Sequence, residues 1–108
     1  MGSIYDRDYD IEAIIRNERA SKNWFATKYR PSFDIREDYK TSGQIEFIDK
    51  ERLNFGEEAL ANIIFLTPEA YPYTLWIGRK LTFGEGINIT GYAIVTKVFN
   101  KILEYIPN

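Results

Sequence analysis

Cysteine and histidine are both missing from the 108-residue sequence. Without cysteine the chain has no disulfide bond, no thiolate metal ligand and no cysteine nucleophile. Without histidine it has no imidazole ligand, and every catalytic scheme that needs an imidazole base is excluded. We therefore expect a protein that uses neither a metal nor a cofactor.

The sequence also lacks a long hydrophobic run. Its longest apolar stretch, NIIFL within Leu60–Leu66, is far too short to cross a bilayer. The first residues do not combine a basic start with an apolar run and a small-residue cleavage site. From these patterns we expect a cytoplasmic protein with no membrane partner.

Neither sign of charge dominates, because the formal net charge is −2 and the pI is about 5.2. A general attraction to phosphate backbones is not expected, although a local basic face stays open. Aromatic residues are abundant, with eight Tyr and seven Phe. Broad rings pack well on a pleated sheet, so this composition favours β-structure. The length is typical of one domain, residues 1–108, with one core.

Alternating apolar residues predict several short strands. The segment Glu18–Lys28 is polar and predicts a loop, Thr41–Gly43 predicts a turn, and Gly84–Gly86 predicts a hairpin turn. The two prolines of TPEAYPYT make that segment irregular, since proline cannot donate to a strand ladder. The predicted strands are Tyr9–Asn17, Phe33–Tyr39, Gln44–Ile48, Ala59–Leu66, LWIG, KLTF and INITGYAIVTKV.

Many short strands closed by turn residues indicate a small antiparallel barrel or sandwich. The C-terminal tail is ambiguous, because its apolar residues fall at helical spacing and allow a short helical extension after a strand, while a strand also stays open; Pro107 ends either element. The tail is expected either to pack back on the barrel, which its apolar residues favour, or to present Ile102, Leu103 and Ile106 to a partner.

Two motifs resemble a known family. The segment YRPSF at Tyr29–Phe33 is similar to the Tyr-Arg-Pro-Gln-Phe signature of the C-terminal β-barrel domain (domain 3) of translation elongation factor Tu. Gly78, Glu85, Gly86 and Gly91 keep that family's mutual spacing without a gap. The resemblance extends over roughly Ile11–Phe99, and it implies a six-stranded antiparallel β-barrel.

The sequence has no G-x-x-x-x-G-K-[ST] phosphate loop, so it resembles that barrel standing alone and is not expected to bind GTP. In the family this barrel binds the T-stem of aminoacyl-tRNA and meets the GTPase domain and the exchange factor. The tRNA face is reduced here, because Ser32, Gly84 and the pair Ile87-Asn88 stand where the family has Gln, Arg and Gly-Arg. The residues that would form a remaining RNA-binding face are Arg19, Lys22, Lys28, Arg30, Arg36, Glu85 and Gly91.

YRPSF itself has two interpretations. It is either a ligand-contacting corner, or a scaffold in which Pro31 sets the turn, Phe33 enters the core and Arg30 pairs with a carboxylate; the scaffold is favoured. For GEG, a hairpin turn is favoured over a phosphate cradle. The carboxylates of IREDYK and DKERLNFGEE fall on polar turns, where solvation is the default, so no enzymatic role is expected.

The aromatic insertion YPYTLW is the main departure from the family. Tyr and Trp are enriched at protein interfaces, so Tyr71, Tyr73 and Trp76, together with Trp24, are candidate partner-binding residues. The alternative is that Trp76 only caps one end of the barrel.

We therefore expect a non-enzymatic protein that binds a protein partner, either as a translation accessory factor or as a toxin-immunity protein whose acidic charge suits a basic toxin. The alternative is a tRNA- or RNA-binding module.

Overall fold

The computed structural model describes residues 4–106, so Pro107, predicted to end the tail, lies outside the described residues. Two short 3-10 helices occur at Pro68–Ala70 and Lys101–Leu103. All other regular elements are strands: β1 Ile11–Asn17, β2 Phe25–Ala26, β3 Ser32–Arg36, β4 Tyr39–Phe47, β5 Arg52–Leu53, β6 Glu58–Phe65, β7 Lys80–Glu85 and β8 Asn88–Val98.

Six of these strands form a closed barrel in the order β1-β6-β4-β3-β7-β8, and every neighbouring pair is antiparallel. The strands β2 and β5 form a separate two-stranded sheet. The predicted all-β, six-stranded antiparallel barrel is confirmed. The predicted helical extension of the tail is a single 3-10 turn.

Alternation of buried and less buried residues, strict in β1, separates the inside of the barrel from its outside. In β1, Ile11, Ala13 and Ile15 are fully buried, while Ile14 between them is half-buried on the outer face. The ring of Phe33 lies in the core, with its centroid 5.4 Å from that of Phe65 and 5.3 Å from that of Phe83. The core therefore contains a cluster of large rings in tilted and edge-to-face contact, surrounded by aliphatic side chains.

Two local predictions are wrong. The segment Thr41–Gly43 is not a turn but the middle of β4, and the chain reverses at residues 37–38 instead. The glycine serves packing, because a Cβ on Gly43 would lie 2.8 Å from the Phe33 ring.

The segment LWIG is not a strand either. Only Leu75 forms an isolated bridge, to Glu104, and Gly78 has a φ of +95° at a turn. The hairpin predicted at Gly84–Gly86 does exist, with Gly86 at a φ of +61° between β7 and β8.

The two ends of the barrel are built differently. At the end that we call the loop end, residues 18–31 and 48–57 and the β7–β8 turn connect the strands. At the opposite end, the tail end, residues 66–79 cross from β6 to β7, and residues 99–106 return over the same opening. The β3–β4 turn also lies at the tail end.

A buried carboxylate joins the N-terminal segment, β6 and the tail. Asp10 Oδ2 accepts from the Phe65 backbone N–H at 2.7 Å, and both its oxygens accept from Arg7 at 2.8 and 3.0 Å. Asn100 Nδ2 donates to Oδ1 at 2.9 Å, and the Asp10 carbonyl accepts the backbone N–H groups of Phe99 and Asn100. Asp10 immediately precedes β1, so these bonds fix the start of β1 between the end of β6 and the residues that follow β8.

The other end of β1 carries a second buried polar side chain. Asn17 Nδ2 donates to the carbonyls of Asn23 and Leu53 at 3.0 and 2.9 Å, and its Oδ1 accepts from the Arg19 backbone N–H. The amide therefore attaches both long connections of the loop end to the barrel. Buried polar groups with every partner in place fix a single arrangement of the chain.

We expect Asp10→Ala to lower the free energy of unfolding by about 3 kcal/mol or more, because it leaves the buried Phe65 N–H without an acceptor. Asp10→Asn keeps one acceptor oxygen and should lose less. Urea unfolding measures both effects. The exposed neighbour variant Asp8→Ala is the control, with a change within about 0.5 kcal/mol. If Asp10→Ala is as stable as Asp8→Ala, the carboxylate does not hold β1.

Candidate functional site at the tail end of the barrel

Tyr71 closes the tail end from inside. The residue is fully buried, its ring lies 5.6 Å from Tyr39 and 6.1 Å from Phe65, and its hydroxyl is 2.8 Å from Thr41 Oγ1. Burial raises the pKa of Tyr71 to about 12. The expectation that Tyr71 meets a partner at the surface is therefore wrong, because the β6–β7 connection turns this ring inward.

The tail packs back on this connection, as predicted. The Tyr73 N–H donates to the Ile102 carbonyl at 2.9 Å, and the Leu75 N–H donates to the Leu103 carbonyl at 2.9 Å. The Tyr105 N–H donates to the Leu75 carbonyl at 2.8 Å. Leu103 is fully buried, so these bonds fix the tail on the barrel end.

This pairing places exposed rings side by side. Tyr73 is 66% exposed and Trp76 is 44% exposed, and the Trp76 ring meets the Tyr105 ring edge to face at 5.9 Å. Tyr73 adopts a φ of +60°, a conformation that non-glycine residues rarely take. We call this region the tail-end surface, and its exposed residues are Tyr73, Trp76, Ile77, Ile102, Tyr105 and Ile106.

Arg79 supports the tail-end surface from beneath. Its guanidinium carbon lies 5.2 Å from the centroid of the Trp76 ring. Its Nη1 donates to the Thr74 carbonyl, and its Nη2 donates to the Ile35 carbonyl at 2.6 Å. Burial lowers the pKa of this guanidinium. Arg79 therefore links the β6–β7 connection to β3, and its guanidinium holds the Trp76 ring by a cation–π contact.

Trp24 does not belong to the same surface. It immediately precedes β2 at the loop end, where it is 48% exposed, and the Arg52 guanidinium lies 5.3 Å from its ring. The four predicted partner-binding residues thus divide into three places. Tyr73 and Trp76 share the tail-end surface, Tyr71 lies in the core, and Trp24 lies at the opposite end.

The predicted RNA-binding residues do not form one basic face either. Arg19 forms an ion pair with Glu85, and its guanidinium lies over the rings of Phe25 and Tyr29 at 4.8 and 5.2 Å. Glu85 also accepts the Tyr29 hydroxyl at 2.6 Å, and this bond and the Arg19 guanidinium hold the pKa of the Glu85 carboxyl below its usual range. The charge of Arg19 is thus compensated within the chain.

Other predicted cations are also engaged. Lys22 Nζ lies 5.8 Å from the Phe55 ring. Arg30 Nε donates to Gln44 Oε1 at 2.8 Å, and its guanidinium lies 4.9 Å from the Tyr5 ring. The partner of Arg30 is therefore an amide oxygen and a ring, not the carboxylate that the sequence predicted.

Distance separates the remaining members of the set. Arg36 ends β3 at the tail end, with its guanidinium 5.6 Å from the Tyr39 ring, whereas Lys28 is exposed at the loop end with a φ of +72°. A phosphate backbone is bound by lysine and arginine side chains that point at it together. This arrangement does not supply them as one patch.

Gly91 has a packing role. A Cβ on this residue would lie 2.3 Å from the Arg16 carbonyl oxygen and 2.7 Å from the Phe83 ring, so β1 and β8 approach closely only with glycine here. In YRPSF, Phe33 lies in the core, as the scaffold interpretation predicted, and Pro31 is buried immediately before β3.

The sequence did not single out Tyr105 and Arg79, which complete the tail-end surface. The signal for Tyr105 was the unexplained apolar tail KILEYI, whereas nothing in the local pattern marks Arg79. Within residues 4–106, no group of three or more acidic side chains is arranged to hold a metal ion. No helix in the described part of the chain is long and apolar enough to cross a membrane.

The chain matches no protein-family model and no curated protein.

The buried Tyr71 hydroxyl predicts a loss of stability at alkaline pH. Because its folded pKa of about 12 lies above the unfolded value of 10.0, its contribution is complete below pH 10 and is lost as the pH rises towards 12. Urea unfolding across this range should show a decline that Tyr71→Phe reduces by roughly 2 kcal/mol. Tyr73→Phe, with an exposed ring, is the control. Equal declines in the wild type and Tyr71→Phe would contradict this account.

Proposed function

We propose that this chain is a non-enzymatic binding protein that recognises a protein partner through the tail-end surface. We propose further that the barrel is a stand-alone relative of the third domain of elongation factor Tu. The observation that carries the first proposal is the pair of exposed rings, Trp76 and Tyr105, held edge to face on a backbone that is itself hydrogen-bonded.

These rings have the properties of an interface anchor. Tyr and Trp bury a large area with few rotatable bonds, and they dominate measured interface energies. Here the hydrogen bonds between residues 73–75 and 102–105 and the contact with Arg79 fix the rings before binding. A preorganised surface loses less conformational entropy when a partner docks.

The resemblance to elongation factor Tu supports the second proposal through the barrel itself. A closed antiparallel barrel of six strands agrees with the architecture that the resemblance implies. Two of the glycines on which the resemblance rests have structural roles, because Gly91 permits close packing and Gly86 forms a hairpin turn. Two cellular roles fit a small binding barrel of this kind: an accessory factor in translation, and an immunity protein that neutralises a toxin.

The two tryptophans provide a matched test. Trp76 and Trp24 are 44% and 48% exposed, each rests on an arginine, and they lie at opposite ends of the barrel. We expect a tagged wild-type chain to retain a stoichiometric protein partner from host lysate. Trp76→Ala should weaken retention by about tenfold or more, as expected for an anchor residue, while Trp24→Ala should leave it unchanged.

Each pull-down is repeated with RNase, and circular dichroism checks that both variants fold. A partner that survives RNase and depends on Trp76 supports the proposal. Equal retention by both variants would overturn the assignment of the surface. Recovery of tRNA, with proteins lost after RNase, would instead favour the RNA-binding alternative.

A further inference from the structure

We propose that the tail-end surface recognises an acidic segment of its partner, in which a carboxylate lies next to an aliphatic or aromatic side chain. This inference rests on the proposed function and specifies the chemistry of the partner. It is carried by the environment of Arg79, whose charge has no carboxylate to balance it within the described residues.

Arg79 differs in this respect from the other half-buried arginines. Arg16 pairs with Glu18 and Glu58, and Arg19 pairs with Glu85. Arg79 is held instead by two backbone carbonyls and the face of Trp76. Removing a charge from water is unfavourable unless an opposite charge compensates it, and a carbonyl dipole compensates only in part.

The charge of Arg79 lies next to the exposed rings. Its guanidinium packs against the Trp76 ring, and the Tyr105 ring contacts the same indole. A guanidinium carries five N–H groups, and Arg79 uses two of them in its bonds to Thr74 and Ile35. The other three N–H groups have no acceptor within residues 4–106 and can bind one that a partner supplies.

A second cation lies on the tail, which packs on the connection that contains Arg79. Lys101 is exposed at the start of the tail's 3-10 helix, next to Ile102, and forms no ion pair within residues 4–106. Glu104 follows on the tail, but its carboxylate is not within 4.0 Å of either cation. Lys101 lines a separate groove with Asp8, Tyr9 and Phe99, so Arg79 is the cation that lies beside the rings.

Arg79 and the exposed rings together favour a partner segment that is both acidic and apolar. A carboxylate that accepts from a guanidinium forms a strong, directed hydrogen bond, and this bond strengthens where water is excluded. An adjacent apolar side chain can pack on the exposed rings and exclude that water. The unpaired charge of Arg79 beside the rings therefore favours an acidic segment, in contrast to the basic partner that the net charge of −2 alone would favour.

A random-peptide display library, selected on the purified full-length chain, tests the proposal. Peptides that also bind Trp76→Ala are removed in a counter-selection. We expect the remaining binders to contain Asp or Glu next to an aliphatic or aromatic residue. Exchange of that Asp or Glu for Asn or Gln should weaken binding about tenfold, and the difference should shrink with added salt.

Variants of Arg79 test whether its guanidinium recognises the carboxylate of the peptide. Arg79→Gln should abolish the preference for the acidic over the amide peptide, and Arg79→Lys should retain part of it. Arg52→Gln, beneath Trp24 at the loop end, is the matched control and should change nothing. Because Arg79→Gln also removes bonds to two carbonyls, circular dichroism checks its fold. If that variant does not fold, the peptide exchange on the wild-type chain decides alone.

The outcomes separate this inference from the proposed function. Binders that need Trp76 and an acidic residue support both. Binders that need Trp76 but bind equally well as amides, or that carry Lys and Arg instead, overturn the acidic partner and leave the surface assignment intact. A library that yields no binder dependent on Trp76 overturns both.

Discussion

Closure of the barrel by β1 is the constraint on which the other features depend. This strand pairs with β6 on one side and with β8 on the other, so the sheet has no free edge along it. Buried polar side chains hold both of its ends. Asp10 attaches the first residue to Phe65 and Asn100, and Asn17 attaches the last residue to the two loop-end connections. The fold is thus fixed by apolar alternation within the strand and by complete hydrogen bonding at its ends.

The same bonds explain why the two barrel ends differ in structure. At the loop end, cations contact rings and carboxylates of the chain itself. Arg19, for example, pairs with Glu85 and packs on the rings of Phe25 and Tyr29. At the tail end, Asp10 and Asn100 hold the start of the tail, and the tail then pairs with the β6–β7 connection. That pairing buries Leu103 and leaves Trp76 and Tyr105 outside. A surface of this kind is the product of two irregular segments, and neither could present it alone.

Periodic features could be predicted from the sequence, and features that depend on distant contacts could not. Alternation revealed β1, a continuous apolar run revealed β6, and glycine chemistry revealed the hairpin at Gly86, because these signals are local. Gly43 was misread as a turn residue because its role is to admit the Phe33 ring from another strand. Tyr71 and Trp76 lie five residues apart in one irregular segment, and only the path across the barrel end decides that one is core and the other surface. Asp10 falls inside the predicted strand Tyr9–Asn17, but nothing local marks its carboxylate as buried.

The most direct measurement uses the two indole rings as reporters of the two ends. The chain is labelled with fluorinated tryptophan, and fluorine NMR spectra are recorded with and without the partner recovered from host lysate, with Trp24→Phe and Trp76→Phe used for assignment. The account predicts that the Trp76 signal shifts on binding, while the Trp24 signal keeps its position. A shift confined to Trp24 would place the interface at the loop end and contradict the central claim.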